Sequence, residues 1–213
     1  MNKFFLTAAA AFFAVSMIAF VSCKDKDDGP KGRDDINTGF STLTLNGTIV
    51  ANDSKINEIT KVKVGKDGKL LAEADVINGQ FSLTLPTPSD EFLSTSENFP
   101  FIFCKTNAKH LILETLNTCI GDDDYHSIGK ADEGFAHEEA YWYVTDDVTF
   151  INTIGMTGSE EPLTKYNYDY NLNLKKGWNI VSFTKTVKES GGITTKEYIY
   201  KTGDLFEGLS WRY

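Results

Sequence analysis

Positions 166–174 read YNYDYNLNL, a strict alternation of two kinds of side chain. Tyr166, Tyr168 and Tyr170 share one parity with two leucines, and asparagine or aspartate fills every position between them. Because successive side chains of a β-strand point to opposite sides of a sheet, this stretch predicts a strand with one aromatic and aliphatic face and one amide-rich face.

The segments around this strand extend the same pattern. Residues 175–177 (KKG) precede WNIVSF at 178–183, and SGG at 190–192 precedes TTKEYIY at 194–200. Glycine-containing turns between alternating runs indicate hairpins, so the C-terminal fifty residues predict a three-stranded antiparallel meander. Further upstream, AYWYV at 140–144 and VTFI at 148–151 predict two more strands joined by a turn at Asp146 and Asp147.

The N-terminal half shows the same period of two. Residues 59–86 predict three strands joined by two hairpins, because KDGK at 66–69 and INGQ at 77–80 hold the Asp-Gly and Asn-Gly pairs that suit tight turns. Two prolines stop the third strand, and Ser89 followed by acids predicts one short helix over about 89–96. Residues 99–117 predict another strand pair with a turn near 106–109, and the polar segment 121–139 predicts a long loop.

Together these segments predict an all-β fold. We expect an antiparallel β-sandwich, either one large or two small and stacked, with one short helix. Residues 39–118 form its N-terminal part and residues 140–213 its C-terminal part.

The N-terminus predicts secretion and lipidation. Lys3 precedes an apolar run to residue 21, which is typical of a signal peptide, and the run ends on FVSC at 20–23. These four residues resemble the lipobox of bacterial lipoproteins, which implies that residues 1–22 are removed and that Cys23 carries the lipid. A signal-anchor helix with an incidental cysteine is the alternative.

Residues 23–38 are expected to be a lipidated cysteine and a solvated acidic tether, because charge, glycine and proline cannot offset the entropy of ordering. The acids close to Cys23 resemble the signals that sort some Gram-negative lipoproteins to the outer cell face. That resemblance implies an outer-membrane protein that faces the cell exterior, and a linker without sorting information is the alternative.

Two further resemblances concern the folded part. VKV at 62–64 with VINGQFSL at 76–83 resembles prealbumin-like or carboxypeptidase-regulatory-like sandwiches, which implies a spacer or binding platform without catalysis. YWY at 141–143, LKKGWNIV at 174–181 and GLSW at 208–211 resemble uncharacterised lipoproteins of Gram-negative gut commensals. This second resemblance supports the predicted cellular location and the fold class, and it implies no biochemical activity.

The composition limits the classes of partner that this protein is expected to bind. The formal net charge is −9, and a protein that binds nucleic acid needs a basic face, so no nucleic acid is expected as a partner. Cys104 and Cys119 both lie in apolar stretches of a chain that is expected to leave the cytoplasm. A disulfide between them would close a loop of about 15 residues and contribute roughly 3 kcal/mol. Two buried free thiols are the alternative.

No catalytic or metal-binding set is recognisable in the sequence, so we expect neither enzymatic activity nor a cofactor. HEEAY at 137–141 begins like a zinc-protease helix, but Tyr141 stands where the second histidine is required. The acids at 122–124 do not have the spacing of a calcium-binding EF-hand loop. A Gly-x-Ser-x-Gly elbow is also missing from the sequence.

The aromatic stripe is the best candidate for ligand binding. The rings of Tyr166, Tyr168 and Tyr170 could stack on a sugar if they faced solvent, and the same alternation also describes the apolar face of a sandwich. We therefore expect a membrane-anchored, non-catalytic surface module that binds a glycan or an envelope protein. The alternative is a structural component of an envelope assembly that exposes a strand edge.

Overall fold

The computed structural model describes residues 38–50, 54–95, 97, 106–158, 163–203 and 206–212. Two short 3₁₀ turns, Ser54–Glu58 and Asp90–Phe92, accompany the strands. The strands are β1 (Thr38–Phe40), β2 (Leu43–Val50), β3 (Lys61–Lys66), β4 (Lys69–Asp75), β5 (Gln80–Leu85), β6 (His110–Leu113), β7 (Leu116–Ile120), β8 (Asp123–Ala131), β9 (His137–Val144), β10 (Val148–Thr157), β11 (Thr164–Leu174), β12 (Gly177–Ser190), β13 (Ile193–Thr202) and β14 (Ser210–Arg212).

One open, mixed sheet connects these strands, which confirms the all-β prediction. Its longest path runs β10-β11-β13-β12-β9-β8-β14-β2-β5, and β1, β3, β4, β6 and β7 pair off this path. Most pairs are antiparallel, while β11–β13 and β14–β2 are parallel. The last strand of the chain therefore lies beside one of the first, which ties the two ends of the described chain together.

The predicted C-terminal meander is wrong in its strand order. β13 lies between β11 and β12, and it pairs antiparallel with β12 and parallel with β11. β11 and β12 are thus two strand spacings apart, roughly 10 Å. Residues 175 and 176 cross the end of β13, where the backbone N–H of Asn173 donates to Oγ1 of Thr202 at 2.8 Å. Alternation fixes which way a side chain points, and it leaves the neighbouring strand undetermined.

The predicted helix over about 89–96 is also wrong. Asp90–Phe92 forms a single 3₁₀ turn, and the Ser89 hydroxyl does not cap it. Directly afterwards, the backbone of Ser94 exchanges two hydrogen bonds with that of His110, at 2.7 and 2.9 Å. The chain leaves the helical conformation because this bridge requires extended backbone.

The long loop predicted over 121–139 is wrong for most of its length, because β8 occupies Asp123–Ala131 and β9 begins at His137. Ile128 and Ala131 are buried. The Thr118 hydroxyl donates to the carbonyl of His126 at 2.9 Å and accepts from its N–H at 3.1 Å. Partners on β7, β9 and β14 hold this polar strand, and such partners leave no signal in the local sequence.

The segment 59–86 contains the three predicted strands. Asp67 and Gly68 both have positive φ in the β3–β4 hairpin, and Asn78 and Gly79 do so in the turn after β4. β5 then pairs with β2 instead of β4, so the second predicted hairpin is only a local turn. Within 99–117, β6 pairs with β9, and β7 pairs with β3 and β8. Residues 98–105 lie outside the described chain.

β9 separates two hydrophobic cores. Tyr141 and Tyr143 point into the N-terminal core, while Trp142 and Val144 point into the C-terminal core. Both faces of this strand are buried from residue 139 to residue 144. The N-terminal core also takes Trp178 and Trp211 from the C-terminal part of the chain. Burying each large aromatic side chain contributes roughly 1.5–3 kcal/mol, so β9 stabilises both cores.

Candidate binding surface

The four strands β10, β11, β13 and β12 present two opposite faces, which we call inner and outer. The inner face points into the C-terminal core and carries the tyrosines of β11 and β13. The outer face carries the intervening residues and is directed to solvent. The main inner-face side chains are Phe150, Ile154, Met156, Tyr166, Tyr168, Tyr170, Phe183, Lys185, Lys196, Tyr198 and Tyr200.

The inner-face rings stack on one another. Tyr170 lies 4.8 Å from Tyr200 and 6.2 Å from Tyr168, measured between ring centroids. Tyr168 in turn lies 5.0 Å from Tyr198, with only 11° between the ring planes. Tyr170 is 1% exposed. Its expected role in stacking on a ligand is therefore corrected, because its ring is enclosed by neighbouring rings in the core.

Tyr166 and Tyr168 are half-buried and remain accessible in part. Their ring faces already have partners, since Nζ of Lys196 lies 5.5 Å from the centroid of Tyr166 and Tyr198 stacks on Tyr168. Stacking on a sugar needs an open ring face. The arrangement therefore leaves ring edges, more than ring faces, for contact with a ligand.

Burial dominates the electrostatics of the inner face. It raises the pKa of Tyr168, and the phenols of Tyr198 and Tyr166 raise it further. Burial also raises the pKa of Glu138, a half-buried carboxyl group on β9 whose charge raises the pKa values of Tyr198 and Tyr200. Phenols with raised pKa values stay protonated at neutral pH, so they donate hydrogen bonds and are poor general bases.

The outer face is open along β10 and β11, while Ser182 on β12 is buried. All five outer positions of β10 and all five of β11 are exposed. The Thr153 hydroxyl donates to Asp169 across the strands at 3.5 Å. The side-chain amides of Asn167, Asn171 and Asn173 make no hydrogen bond to another described residue. The outer face therefore offers donors and acceptors that the described fold does not use.

Gly155 opens a notch in the outer face. It lies opposite Asn167 in a register that runs without a bulge from Val148 to Thr157. A Cβ placed on Gly155 would meet only Oδ1 of Asn167, at 3.7 Å. Glycine weakens a strand interior and often marks a close approach by another molecule. A lone glycine in an alternating strand is the sequence signal that marks this position.

A groove of about 400 Å³ lies beside the β3–β4 hairpin. Lys63 and Asp124 line it, with Nζ and Oδ1 2.7 Å apart, and Cys119 approaches the same Asp124 oxygen to 3.7 Å. Burial raises the pKa of the Cys119 thiol, which keeps it protonated and a weak nucleophile. The lysines around this groove already contact acids or carbonyl and hydroxyl oxygens, so the groove has little capacity to bind an anion.

The predicted cysteine sites lie mostly outside the described residues. Cys23 and Cys104 both fall there, and Cys119 is a buried free thiol. Lipidation of Cys23 and the Cys104–Cys119 disulfide therefore stay predictions.

The zinc-like motif lies on strand β9, so His137 and Tyr141 do not have the helical spacing of a zinc protease. Nδ1 of His137 instead lies 2.9 Å from Oδ2 of Asp132. Of the acids at 122–124, Asp124 pairs with Lys63. Across the ranges that the structure describes, no group of three or more histidines, cysteines or acids is placed to hold a metal ion.

Within those same ranges, no helix has the length and apolar character needed to cross a membrane. No protein-family model, curated protein or solved structure matches this chain.

Proposed function

We propose that this protein is a non-catalytic binding module that is held on the outer membrane by lipid on Cys23, faces the cell exterior, and binds a glycan on the outer face of its C-terminal sheet. One observation carries the glycan part of the proposal. Three asparagine amides and several threonine hydroxyls lie exposed on neighbouring strands, and the amides make no hydrogen bond to the described chain. Such groups match sugar hydroxyls, which both donate and accept hydrogen bonds.

The chemistry of the described side chains supports a non-catalytic role. Burial raises the pKa values of the Cys119 thiol and of the Tyr168 phenol, so neither is an activated nucleophile or base at neutral pH. Asp169, the acid at the centre of the outer face, accepts a bond from Thr153. The other acid at an outer position of these strands, Glu197 on β13, is held by Lys188 at 2.7 Å. Glycoside hydrolysis ordinarily uses two carboxyl groups directed at the substrate, and here one of the two is engaged by a lysine.

The glycan part is tested with the full chain, extracted in detergent and applied to a glycan array. We expect binding to a restricted set of glycans, because amides at fixed positions select particular hydroxyl patterns. Silence across the whole array would remove the sugar proposal.

The anchor is tested by metabolic labelling with palmitate. Wild-type chain and the control Cys104→Ala are expected to incorporate label, and Cys23→Ala to incorporate none. Label on Cys23→Ala, or a native protein that still carries residues 1–22, would contradict the proposed anchor.

A structural component of an envelope assembly is the second candidate. The enclosure of Tyr170 and the stacking of its neighbours favour it, because a face built for packing needs no ligand. Silence on the glycan array, together with co-purification of the native protein in an envelope complex of fixed stoichiometry, would favour this candidate.

A further inference from the structure

We infer that the outer face binds a neutral polysaccharide chain whose contact is centred on the notch at Gly155 and on Asn167 beside it. This inference rests on the proposed function and adds the ligand class and the contact residues. Gly155 and Asn167 are paired in register on adjacent strands, and both are exposed. The two residues create a recess in an otherwise continuous row of side chains.

The hydrogen-bonding capacity around the notch matches a hydroxyl-rich ligand. Each asparagine amide offers two donors and a carbonyl acceptor. The amides of Asn167 and Asn171 lie on the same side of β11, on either side of Asp169, and make no hydrogen bond to another described residue. Asp169 adds a carboxylate that accepts from Thr153 and retains further acceptor sites. A sugar chain lying along β11 meets all three groups.

Two isoleucines supply apolar contact on either side of these polar groups. Ile151 is 61% exposed and pairs with Asn171, and Ile199 is 40% exposed and pairs with Asp169 on the other side of β11. Both are separated from other exposed apolar residues, so they do not form a protein-binding patch. Isolated aliphatic side chains beside amides suit sugar rings, which have C–H surfaces and hydroxyl edges.

The charges on the outer face favour a neutral ligand. Of the three lysines at outer positions of these strands, Lys188 is held by Glu197, with Nζ and Oε2 2.7 Å apart. Lys165 lies on β11 and Lys201 lies beside Asn171, six residues further along that strand, so the lysines do not form a cluster. Arginine occupies no position on the four strands. Recognition of carboxylate or sulfate groups commonly uses arginine forks or clustered lysines. The whole chain carries a net charge of −9, which repels polyanions. A neutral polysaccharide needs no cluster of lysines or arginines, and the net negative charge does not repel it.

Gly155 provides a test that separates binding from folding. Threonine is favoured in strands and glycine is disfavoured, so Gly155→Thr should keep or raise the melting temperature while it fills the notch. We expect this variant to lose at least tenfold in affinity for the neutral polysaccharide that wild type binds. Asn167→Ala should also bind this polysaccharide more weakly than wild type does.

The measurement is affinity electrophoresis of the full chain in gels containing soluble starch, dextran, xyloglucan or mannan, with polygalacturonate and heparin as polyanions. The control is Gly134→Thr, since Gly134 lies in the turn between β8 and β9, beyond β12 from the notch on β10, with open space around it. It is expected to migrate like wild type in every gel.

The outcomes distinguish the inference from the function on which it rests. Retardation of wild type by a neutral gel, with Gly155→Thr and Asn167→Ala equally retarded, would overturn the site and leave the glycan function standing. Stronger retardation by a polyanion would overturn the neutral class. No retardation of wild type in any of the six gels would overturn the inferred polysaccharide ligand, and silence on the glycan array as well would overturn the glycan function.

Discussion

The two faces of β11 carry different side chains. These side chains differ in whether they are available to contact another molecule. On the inner face, burial increases along the strand, from the half-buried Tyr166 and Tyr168 to Tyr170, Leu172 and Leu174 in the core. On the outer face, every alternate residue stays exposed along the whole strand. The inner rings contact each other, and the outer amides contact solvent.

This difference shows that residue type alone does not identify a binding surface. Tyrosines are the more familiar ligand platform, yet their ring faces are occupied by Tyr198, Tyr200 and Lys196. The asparagines, which looked like the solvated side of a strand, retain their full hydrogen-bonding capacity. Availability for binding depends on cross-strand neighbours, and these are set by strand order.

The largest expected effect is a loss of folding stability, and it appears when adjacent residues on opposite faces of β11 are compared. Tyr170→Ala should lower the free energy of unfolding by about 3–5 kcal/mol, because it removes a buried ring that contacts Phe150 and Tyr200. Asn171→Ala, one residue along, should change it by less than about 0.5 kcal/mol. Chemical denaturation of both variants measures the two values. Equal losses would show that the faces are not distinct.

A pair of glycines extends the comparison to the N-terminal core. A Cβ on Gly47 would overlap the indole of Trp211, which is 2% exposed and packed on Phe81. Gly47→Ala should therefore lower the free energy of unfolding by about 1–3 kcal/mol.

Gly155→Ala is the matched variant on the outer face. It meets only ordinary contact with Asn167 and should raise the free energy of unfolding by about 0.5–1 kcal/mol. In thermal denaturation, the melting temperature should fall for Gly47→Ala and rise for Gly155→Ala. A destabilising Gly155→Ala would mean that the notch is closed in solution.

The smallest expected effect concerns Glu138, a carboxyl group on β9 that lies opposite Phe183 of the inner face. Burial raises the pKa of Glu138 in the folded protein, so its charge opposes folding at neutral pH, and this opposition fades as pH falls through the raised pKa. Glu138→Gln should therefore be slightly more stable than wild type at pH 7, and the advantage should shrink on acidification.

The control for this prediction is Asp169→Asn on the outer face, where solvent screens the charge. Melting temperatures between pH 7 and pH 4 measure both variants. A Glu138→Gln protein that is less stable than wild type at pH 7 would show that attraction to Lys185 outweighs burial.

Much of the fold could be predicted from local pattern. The alternation at 166–174 predicted both faces of β11 correctly, and the Asp-Gly pair at 67–68 predicted the β3–β4 hairpin, because these features depend on residues close in sequence. Strand order could not be predicted, since β13 lies between β11 and β12 through contacts that no local pattern specifies. β8 was missed because partners on three other strands hold its polar sequence extended.

The candidate site was predictable only in part. Sequence alone placed Asn167, Asp169 and Asn171 on one face, and that placement holds. It could not show that Gly155 lies directly opposite Asn167, because this depends on the β10–β11 register. Nor could it show that the tyrosine rings stack on β13, because the parallel pairing of these strands leaves no trace in either strand.

Native-state thiol labelling of Asn171→Cys and Leu172→Cys tests the division between the two faces most directly. With labelled peptides identified by mass spectrometry, the background from native cysteines is separated from the introduced ones. We predict that Asn171→Cys reacts at nearly the rate of an unfolded thiol and that Leu172→Cys reacts only through unfolding, orders of magnitude more slowly. Similar rates at the two positions would contradict the two-faced strand on which both proposals depend.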